Sequence, residues 1–438
     1  MSPLHFGLTP KMKPISPRRS AMVAALDVGT NKIVCMIARL KPHAPQEVLR
    51  RRSHGIEILG LGHTGAHGIK AGTVVNLAEA EEAVRQAVDL AERMAGLHLE
   101  SVAVSVSAGR PASELLSATV NVAGSTVSDN DIARVLGSGS RHSVRDGRVV
   151  MHSLPIGYAL DDAQGVREPR GMLARRFGVD MHIVTTDVAA ARNLMLAVES
   201  CHLEVEAMAL SPYLAGLSVL ADDESDLGAA VVDMGAGTTT IAIFSGGRFI
   251  HADGFALGGH HVTMDIARGI NARIADAERI KTFYGSVMAG GTDERDMIEV
   301  PAVGDHREPQ FVSRATLVQI IKPRVEEMLE MVRERLNSSP FASEPRGSVI
   351  LTGGASQLTG LPDLASRILG RTVRIGRPLG ISGLPEAAKG PAFAVATGLL
   401  VYPQAAHLEH YEPRHTRQLM TGTGGYIARV GRWLRESF

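Results

Sequence analysis

Apolar residues gather into three short runs, and each run ends in a tight turn. Ala24, Ala25 and Leu26 lead into Asp27-Val28-Gly29-Thr30-Asn31-Lys32, after which residues 33–38 are apolar again. The same order returns in the second half of the chain. There Ala230, Val231 and Val232 lead into Asp233-Met234-Gly235-Ala236-Gly237-Thr238-Thr239, followed by apolar residues 241–244. Buried strand, Asp-x-Gly turn and second strand predict a β-hairpin in each half. The third run, Val349 to Leu351, enters Thr352-Gly353-Gly354.

Helical spacing is clearest in residues 77–95. Leu77, Val84, Val88, Ala91 and Met94 form one stripe, Asn76 and Glu79 make a capping box, and Gly96 stops the helix. Strand-like alternation follows in 101–107. Residues 107–183 match neither half of the duplication. They predict strands at 115–122, 149–158 and 180–185, and a helix opened by Ser128 with Asp131 three residues later, which together describe an inserted subdomain. Thr186 or Asp187 caps a helix through 199, and Ser211-Pro212 provides an N-cap and first-turn pair for a helix through 220. A second insertion at 246–312 carries Gly258-Gly259 and helices near 263–268 and 276–284. A helix at 314–336, a turn-rich connector over 403–423 and an amphipathic ending complete the chain.

The chain has 438 residues, enough for several buried cores. Its 46 basic residues match its 46 acidic ones, so no nucleic-acid partner is expected. Residues 1–20 carry Lys11, Lys13, Arg18 and Arg19 among four prolines and no acid, which predicts a disordered, solvated leader. Cys35 and Cys201 sit in apolar runs as small core residues, consistent with a reducing cytoplasm. No stretch has the layout of a signal peptide or the length of a membrane span.

The chemistry lies in the turns. Glycine lets a backbone approach an anion, successive N–H groups cradle it, and an aspartate at a strand end can hold hydrated Mg²⁺. Two such hairpins with a late Gly-Gly strand resemble the actin, hexokinase and heat-shock-chaperone superfamily. That resemblance implies an α/β, actin-like duplicated ATPase fold, with two lobes around a nucleotide cleft and an inserted α+β subdomain in the first lobe. It implies ATP and Mg²⁺ as ligands. Asp27 and Asp233 would serve the metal. Gly29, Thr30, Asn31 and Lys32 would embrace one side of the phosphates, and Gly235, Gly237, Thr238 and Thr239 the other. Glu278 and Lys281 would face the ribose and adenine, beside Gly353 and Gly354.

Within that superfamily the chain is similar to the FtsA family of bacterial cell-division proteins. The motifs are Asp27 to Thr30, Asp233 to Thr238, Asp276-Ala277-Glu278-Arg279-Ile280-Lys281, Leu351 to Ala355, Val373 to Pro378, Ala396 to Leu399, and the ending 426–438. The resemblance implies a protein that polymerises on the cytoplasmic membrane at the division site. It would tie the FtsZ ring to that surface and help recruit other division proteins. The implied layout has a leader at 1–20, a first lobe at 21–106 and 184–206, and an inserted subdomain at 107–183. A second lobe comprises 207–245 and 313–402, with an outer subdomain at 246–312, a linker at 403–423 and a membrane-targeting helix at 424–438. The FtsZ C-terminal tail would dock on the outer subdomain, with Arg307 and Arg314 as candidate contacts.

Related filament-forming actins place a glutamate where this chain has Ser211, which implies ATP binding with slow hydrolysis because a neutral hydroxyl is a poor base. At a hundred degrees per residue, Tyr426, Ile427, Val430, Trp433, Leu434 and Phe438 share one face of the ending, and Arg429, Arg432 and Arg435 lie opposite. Such a helix would lie flat in a membrane interface. The competing expectations are a small-molecule kinase of the same superfamily and an actin-like pilus-assembly protein.

Overall fold

The structure is a computed structural model that describes residues 9–43, 48–108, 110–140, 145–291, 293–301, 310–344 and 347–411. The two hairpins seed two sheets built alike. In the first, Ala21–Val28 runs antiparallel to Lys32–Pro42 and parallel to Ser101–Val106. In the second, Ala229–Met234 runs antiparallel to Thr239–Ser245 and parallel to Ser348–Thr352. The third strand of each meander is His54–Gly65 in one sheet and Arg248–Phe255 in the other. The strand Arg248–Phe255 therefore belongs to the main sheet, although the outer subdomain was expected to begin at 246. Gly246 and Gly247, both at positive φ, form the turn that returns the chain to the sheet.

The first helix occupies Leu77–Ala95, with the Asn76 side chain accepting from Glu79 N and Gly96 in the left-handed region. Its buried face is Ala80, Ala83, Val84, Ala87, Val88 and Ala91, whereas Leu77 and Met94 are exposed. The face is small because the helix lies directly on glycines of the strand beneath. A Cβ on Gly62 would stand 1.9 Å from the Ala87 carbonyl oxygen.

The insertion forms a four-stranded sheet in the order Ala112–Asn121, Arg176–Asp187, Arg148–Leu160, Ala163–Val166. Its helix, Asp129–Gly139, carries the Ser128–Asp131 capping box. One sheet face buries Val150, Phe177 and Val179 in a separate core. From the other, Met151, Leu154 and Val184 join the core of the first lobe. The strand Arg176–Asp187 also runs past residue 183, so the insertion is joined to the lobe by packing as well as by covalent links.

Residues 9–12 and Ile15 are not part of the solvated tail that their composition suggests, whereas residues 16–20 are exposed as expected. Thr9 N bonds the Val150 carbonyl, Met208 N bonds the Pro10 carbonyl and Ile15 N bonds the Pro403 carbonyl. Lys11 Nζ donates to Val150 O at 3.1 Å, Met151 O at 2.6 Å and Thr9 Oγ1 at 2.8 Å, and stands 4.3 Å from the centre of the Tyr411 ring. Burial lowers the Lys11 pKa to about 7, with Glu409 nearby opposing the shift. Met12 is buried in the main core. A count of charges and prolines cannot reveal that a buried ammonium finds this many acceptors and an aromatic face.

The connector is likewise fixed over its first nine positions. The helix Ala394–Ala405 runs through Pro403, whose ring is buried. Glu409 Oε1 then accepts from Tyr402 Oη at 2.8 Å and pairs with His152 Nδ1 at 3.0 Å. His410 N bonds the Ser153 carbonyl. Both ends of the described chain thus meet on the strand Arg148–Leu160.

Met12→Ala should destabilise the protein by about 2 kcal/mol, as expected for removing a buried methionine, and deletion of residues 1–16 should cost more. Thermal melting of the two variants checks this; an unchanged melting temperature in both would return the segment to solvent.

Candidate nucleotide cleft

The hairpin turns face one another across a cavity of about 470 Å³ between the lobes. Each turn closes on the same backbone bond: Gly29 N donates to Lys32 O at 3.0 Å, and Gly235 N donates to Thr238 O at 2.9 Å. The loops nearly touch, since a Cβ on Gly237 would lie 2.4 Å from Thr30 Oγ1. Thr30 Oγ1 in turn accepts from Gly72 N at 3.0 Å. Glycine at 237 is therefore a steric requirement of the closed arrangement.

Behind each turn stands a carboxylate at the end of a buried strand. Burial raises the Asp27 pKa, although Ser105 Oγ donates to it at 2.5 Å. Burial, reinforced by Asp27 and opposed by Lys32, raises Asp233 to about 7. Lys32 is the cation between them. Burial lowers it to about 8 against the pull of both aspartates, and its Nζ lies 3.4 Å from the centre of the Phe393 ring. It is thus directed into the site, where a lysine beside a turn ordinarily faces solvent. The carboxylate pair with one partly desolvated lysine fits a divalent cation and an anion held between the loops, because buried charges of one sign need such partners.

Along another wall of the cavity, Glu278 and Lys281 form an ion pair at 2.7 Å on the helix Ile274–Tyr284. Lys281 Nζ also donates to Gly259 O at 3.1 Å and Thr263 Oγ1 at 2.8 Å, while Thr263 Oγ1 donates to Glu278. The pair is therefore anchored to the helix Gly259–Gly269 and lines the cavity wall. Opposite it, Gly353 has φ 84°, and a Cβ there would lie 2.3 Å from Asp233 Oδ1. Gly354 lines the same wall.

All of the sequence-derived cleft residues line this cavity except Thr239, which is buried and spends its hydroxyl on the Leu257 carbonyl at 2.7 Å. Ser211 does not cap its helix. The cap position is Leu210, and the Ser211 hydroxyl is buried without a partner among the described residues, on the cavity wall. Sequence reasoning had left Gly258-Gly259 without a role. A Cβ on Gly258 would meet the Gly235 and Ala236 carbonyl oxygens at 2.5 and 2.7 Å, so this glycine lets the helix Gly259–Gly269 begin against the second loop. The double glycine ahead of a helix was the available signal.

Arg314 is half-buried and makes two long ion pairs. It lies 3.8 Å from Asp293 and 3.9 Å from Asp296, and its Nε is buried. Arg307 and residues 424–438, including Tyr426, Trp433 and Arg432, lie outside the described residues. Among the described residues no helix is long and apolar enough to cross a membrane.

Comparison with known proteins extends these observations. A family model described as cell division protein FtsA matches residues 230–398, and one described as the SHS2 domain inserted in FtsA matches 108–185. The cell division protein FtsA of Agrobacterium fabrum is 50% identical over 437 residues, covering 99% of this chain and 98% of that protein. The Escherichia coli K12 protein of the same description is 32% identical over 424 residues, covering 95% and 98%. In fold, the chain is similar to the PilM-PilN type IV pilus biogenesis complex, with a TM-score of 0.60 at 17% identity over 87% of this chain and 98% of that one. MreB 5 of Spiroplasma citri bound to AMPPNP gives 0.52 at 14% identity, over 89% and 97%. The duplicated sheets and inserted subdomain are thus an actin-like fold, and the chain belongs to the FtsA family of cell-division proteins.

Proposed function

We propose that this chain binds ATP with Mg²⁺ in the cleft, polymerises on the cytoplasmic membrane, and tethers the FtsZ ring there by way of the FtsZ C-terminal tail. The observation that carries the reading is the pair of identically closed turns facing one cavity, each backed by a buried aspartate. Gly29, Thr30 and Asn31 on one side and Gly235, Gly237 and Thr238 on the other offer N–H groups and hydroxyls to phosphate oxygens. Lys32 adds one positive charge. Asp27 and Asp233 would hold the hydrated metal, which when bound offsets phosphate charge and both carboxylates. The Glu278–Lys281 pair and the Gly353-Gly354 turn would enclose the nucleoside. The likeness in fold to an MreB 5 structure bound to AMPPNP supports a nucleotide as the ligand.

Ser211 supports slow hydrolysis. Its hydroxyl is neutral and buried, so it withdraws no proton from a water at neutral pH. Nucleotide then acts as a switch on lobe closure and assembly. A docking site for the FtsZ tail on the outer subdomain has to work around Asp293 and Asp296, which already engage Arg314.

Residues 424–438 would supply the membrane contact. Three arginines less one glutamate leave two positive charges, worth roughly 2 kcal/mol at an anionic leaflet. With few apolar side chains, one helix binds marginally and many on one polymer bind firmly.

Three outcomes test this reading. Mg²⁺-ATP at a hundredfold excess over its Kd should stabilise the fold by about 2.7 kcal/mol, and Asp233→Ala should remove most of that gain; unchanged affinity in the Asp27→Ala, Asp233→Ala double variant would contradict the site. Without nucleotide, Asp233 is protonated in the folded protein up to a pKa of about 7. Its contribution to stability is full below about pH 4 and is lost as pH rises through 7. Asp233→Asn should flatten that slope in melting curves, and an identical slope would assign it to other groups. Finally, Trp433→Glu should abolish sedimentation with anionic vesicles while leaving ATP affinity unchanged, whereas continued sedimentation would place the anchor elsewhere.

A further inference from the structure

The strand Arg248–Phe255 is an edge of the second lobe's sheet, so its outer side has no strand partner among the described residues. The inserted subdomain takes up three of its backbone groups instead. Ala252 N donates to Ser113 Oγ at 2.7 Å, and the Ala252 carbonyl lies 3.1 Å from the same hydroxyl. The Phe249 carbonyl accepts from His182 Nδ1 at 2.9 Å, and His182 Nε2 is 3.0 Å from Ser113 Oγ. Burial lowers the His182 pKa to about 3, which keeps the ring neutral. A carbonyl only accepts, so Nδ1 carries the proton and Nε2 faces Ser113 as an acceptor. The Ser113 hydroxyl hydrogen therefore has two acceptors in reach, and its oxygen holds the Ala252 amide. The His182 ring also meets Phe249 edge-on, with centres 4.9 Å apart.

Ser113 and His182 lie on Ala112–Asn121 and Arg176–Asp187, the strands by which the insertion leaves and rejoins the first lobe. The chain enters the insertion from the cleft, because Ser107 lines the cavity. A Cβ on Gly72 would lie 2.5 Å from Ser107 Oγ, and Gly72 N is the group that donates to Thr30 in the first turn. The strand Arg248–Phe255 leads from the same bonds to the second turn. Its last residue, Phe255, pairs with Thr239, and Gly258 then abuts the Gly235 and Ala236 carbonyls. One subdomain is thus joined to the backbone beside both turns, from outside the cavity. Another tie between the lobes, Arg50 with Asp223 and Arg51 with Asp226, consists of mostly exposed ion pairs. Water and salt weaken such pairs.

We infer that Ser113 and His182 are positioning residues for the nucleotide: they latch the inserted subdomain to the second lobe, hold the two turns in their closed arrangement and so raise nucleotide affinity. The inference rests on nucleotide binding between the turns. Opening the cleft carries the second turn and the strand Arg248–Phe255 away from Thr30 and Ser107. The insertion cannot simply follow, because Met151, Leu154 and Val184 are buried in the core it shares with the first lobe. The latch then has to break. Its breaking leaves the His182 and Ala252 donors without their acceptors until water replaces them, which costs free energy. Linkage makes the effect reciprocal. A nucleotide that favours closed turns protects the latch to the same extent that the latch favours bound nucleotide.

The test titrates the full chain with Mg²⁺ and the ATP analogue AMPPNP in a calorimeter. Ser113→Ala should weaken binding roughly five- to thirty-fold, the range that one or two lost buried hydrogen bonds correspond to. Ser113→Thr keeps the hydroxyl and should restore the affinity. Ser117→Ala, on the same strand but bonded to Asp180 within the insertion, should leave it unchanged. In the unaltered chain, Mg²⁺-AMPPNP should slow hydrogen exchange of the amides in 248–255, a measurement that needs no variant. Unchanged affinity in Ser113→Ala would overturn the inference, as would failure of threonine to restore it or exchange over 248–255 that ignores nucleotide. Equal weakening by Ser117→Ala would also overturn it, by assigning the effect to general loosening of the insertion. If the unaltered chain binds no nucleotide, the cleft reading fails and the latch is judged without ligand. Spin labels at Arg93→Cys and Glu334→Cys, in a Cys201→Ser background, then read the distance between the lobes. Ser113→Ala should lengthen that distance, and an unchanged distance would overturn the latch as well.

Discussion

Asp27, half-buried, and Asp233, buried, stand at the ends of parallel-paired strands, on opposite sides of one cavity, with Lys32 between them. Burial pushes the pKa of Asp27 and Asp233 upward and that of Lys32 downward, so the same walls oppose the charged form of all three groups. Desolvated charge of this kind is tolerable only when the site supplies compensating charge or leaves it to a ligand. The neighbouring architecture is arranged around that constraint. The glycines at 237, 258 and 353 bring their backbone segments against Thr30, the Gly235 and Ala236 carbonyls, and Asp233 respectively, at positions where any Cβ would collide.

The duplicated hairpins explain why the cleft is also a mechanical joint. Each loop is closed by its own backbone bond and continuous with a buried strand, and the loops belong to different sheets. Whatever draws them together moves one lobe against the other. The helices Ser211–Val219 and Ala394–Ala405 begin at the cleft and are packed backbone to backbone through Gly398. The inserted subdomain shares the core of the first lobe through Met151, Leu154 and Val184. The cleft is thus joined by continuous packing to the insertion and to the point where the described chain ends.

Local chemistry was legible in the sequence where a single segment carries it. The hairpins, the helix Leu77–Ala95 with its Asn76 cap, and the Ser128–Asp131 box are all specified within a few consecutive residues. Features assembled from distant segments were not. Residues 9–20 looked like a solvated leader because Lys11 finds its acceptors on Val150 and Met151 and its ring on Tyr411. Thr239 looked like a phosphate contact because its spacing fits the loop, yet the strand's alternation turns its hydroxyl to Leu257. Ser211-Pro212 read as a cap, but the helix starts one residue earlier and the freed hydroxyl falls on the cavity wall. Arg51, Arg167 and Arg248 line one cavity although they come from three parts of the chain, and no periodicity could have brought them together.

The central claim is that one nucleotide with its metal is clasped between the two aspartate-backed turns. A crystal structure of the protein with Mg²⁺ and a non-hydrolysable ATP analogue measures this most directly. The account predicts phosphates between Gly29–Thr30 and Gly235–Thr238, the metal's water shell shared by Asp27 and Asp233, and the base beside Gly353-Gly354. A nucleotide bound through only one of the two turns, or a metal coordinated away from both aspartates, would contradict it.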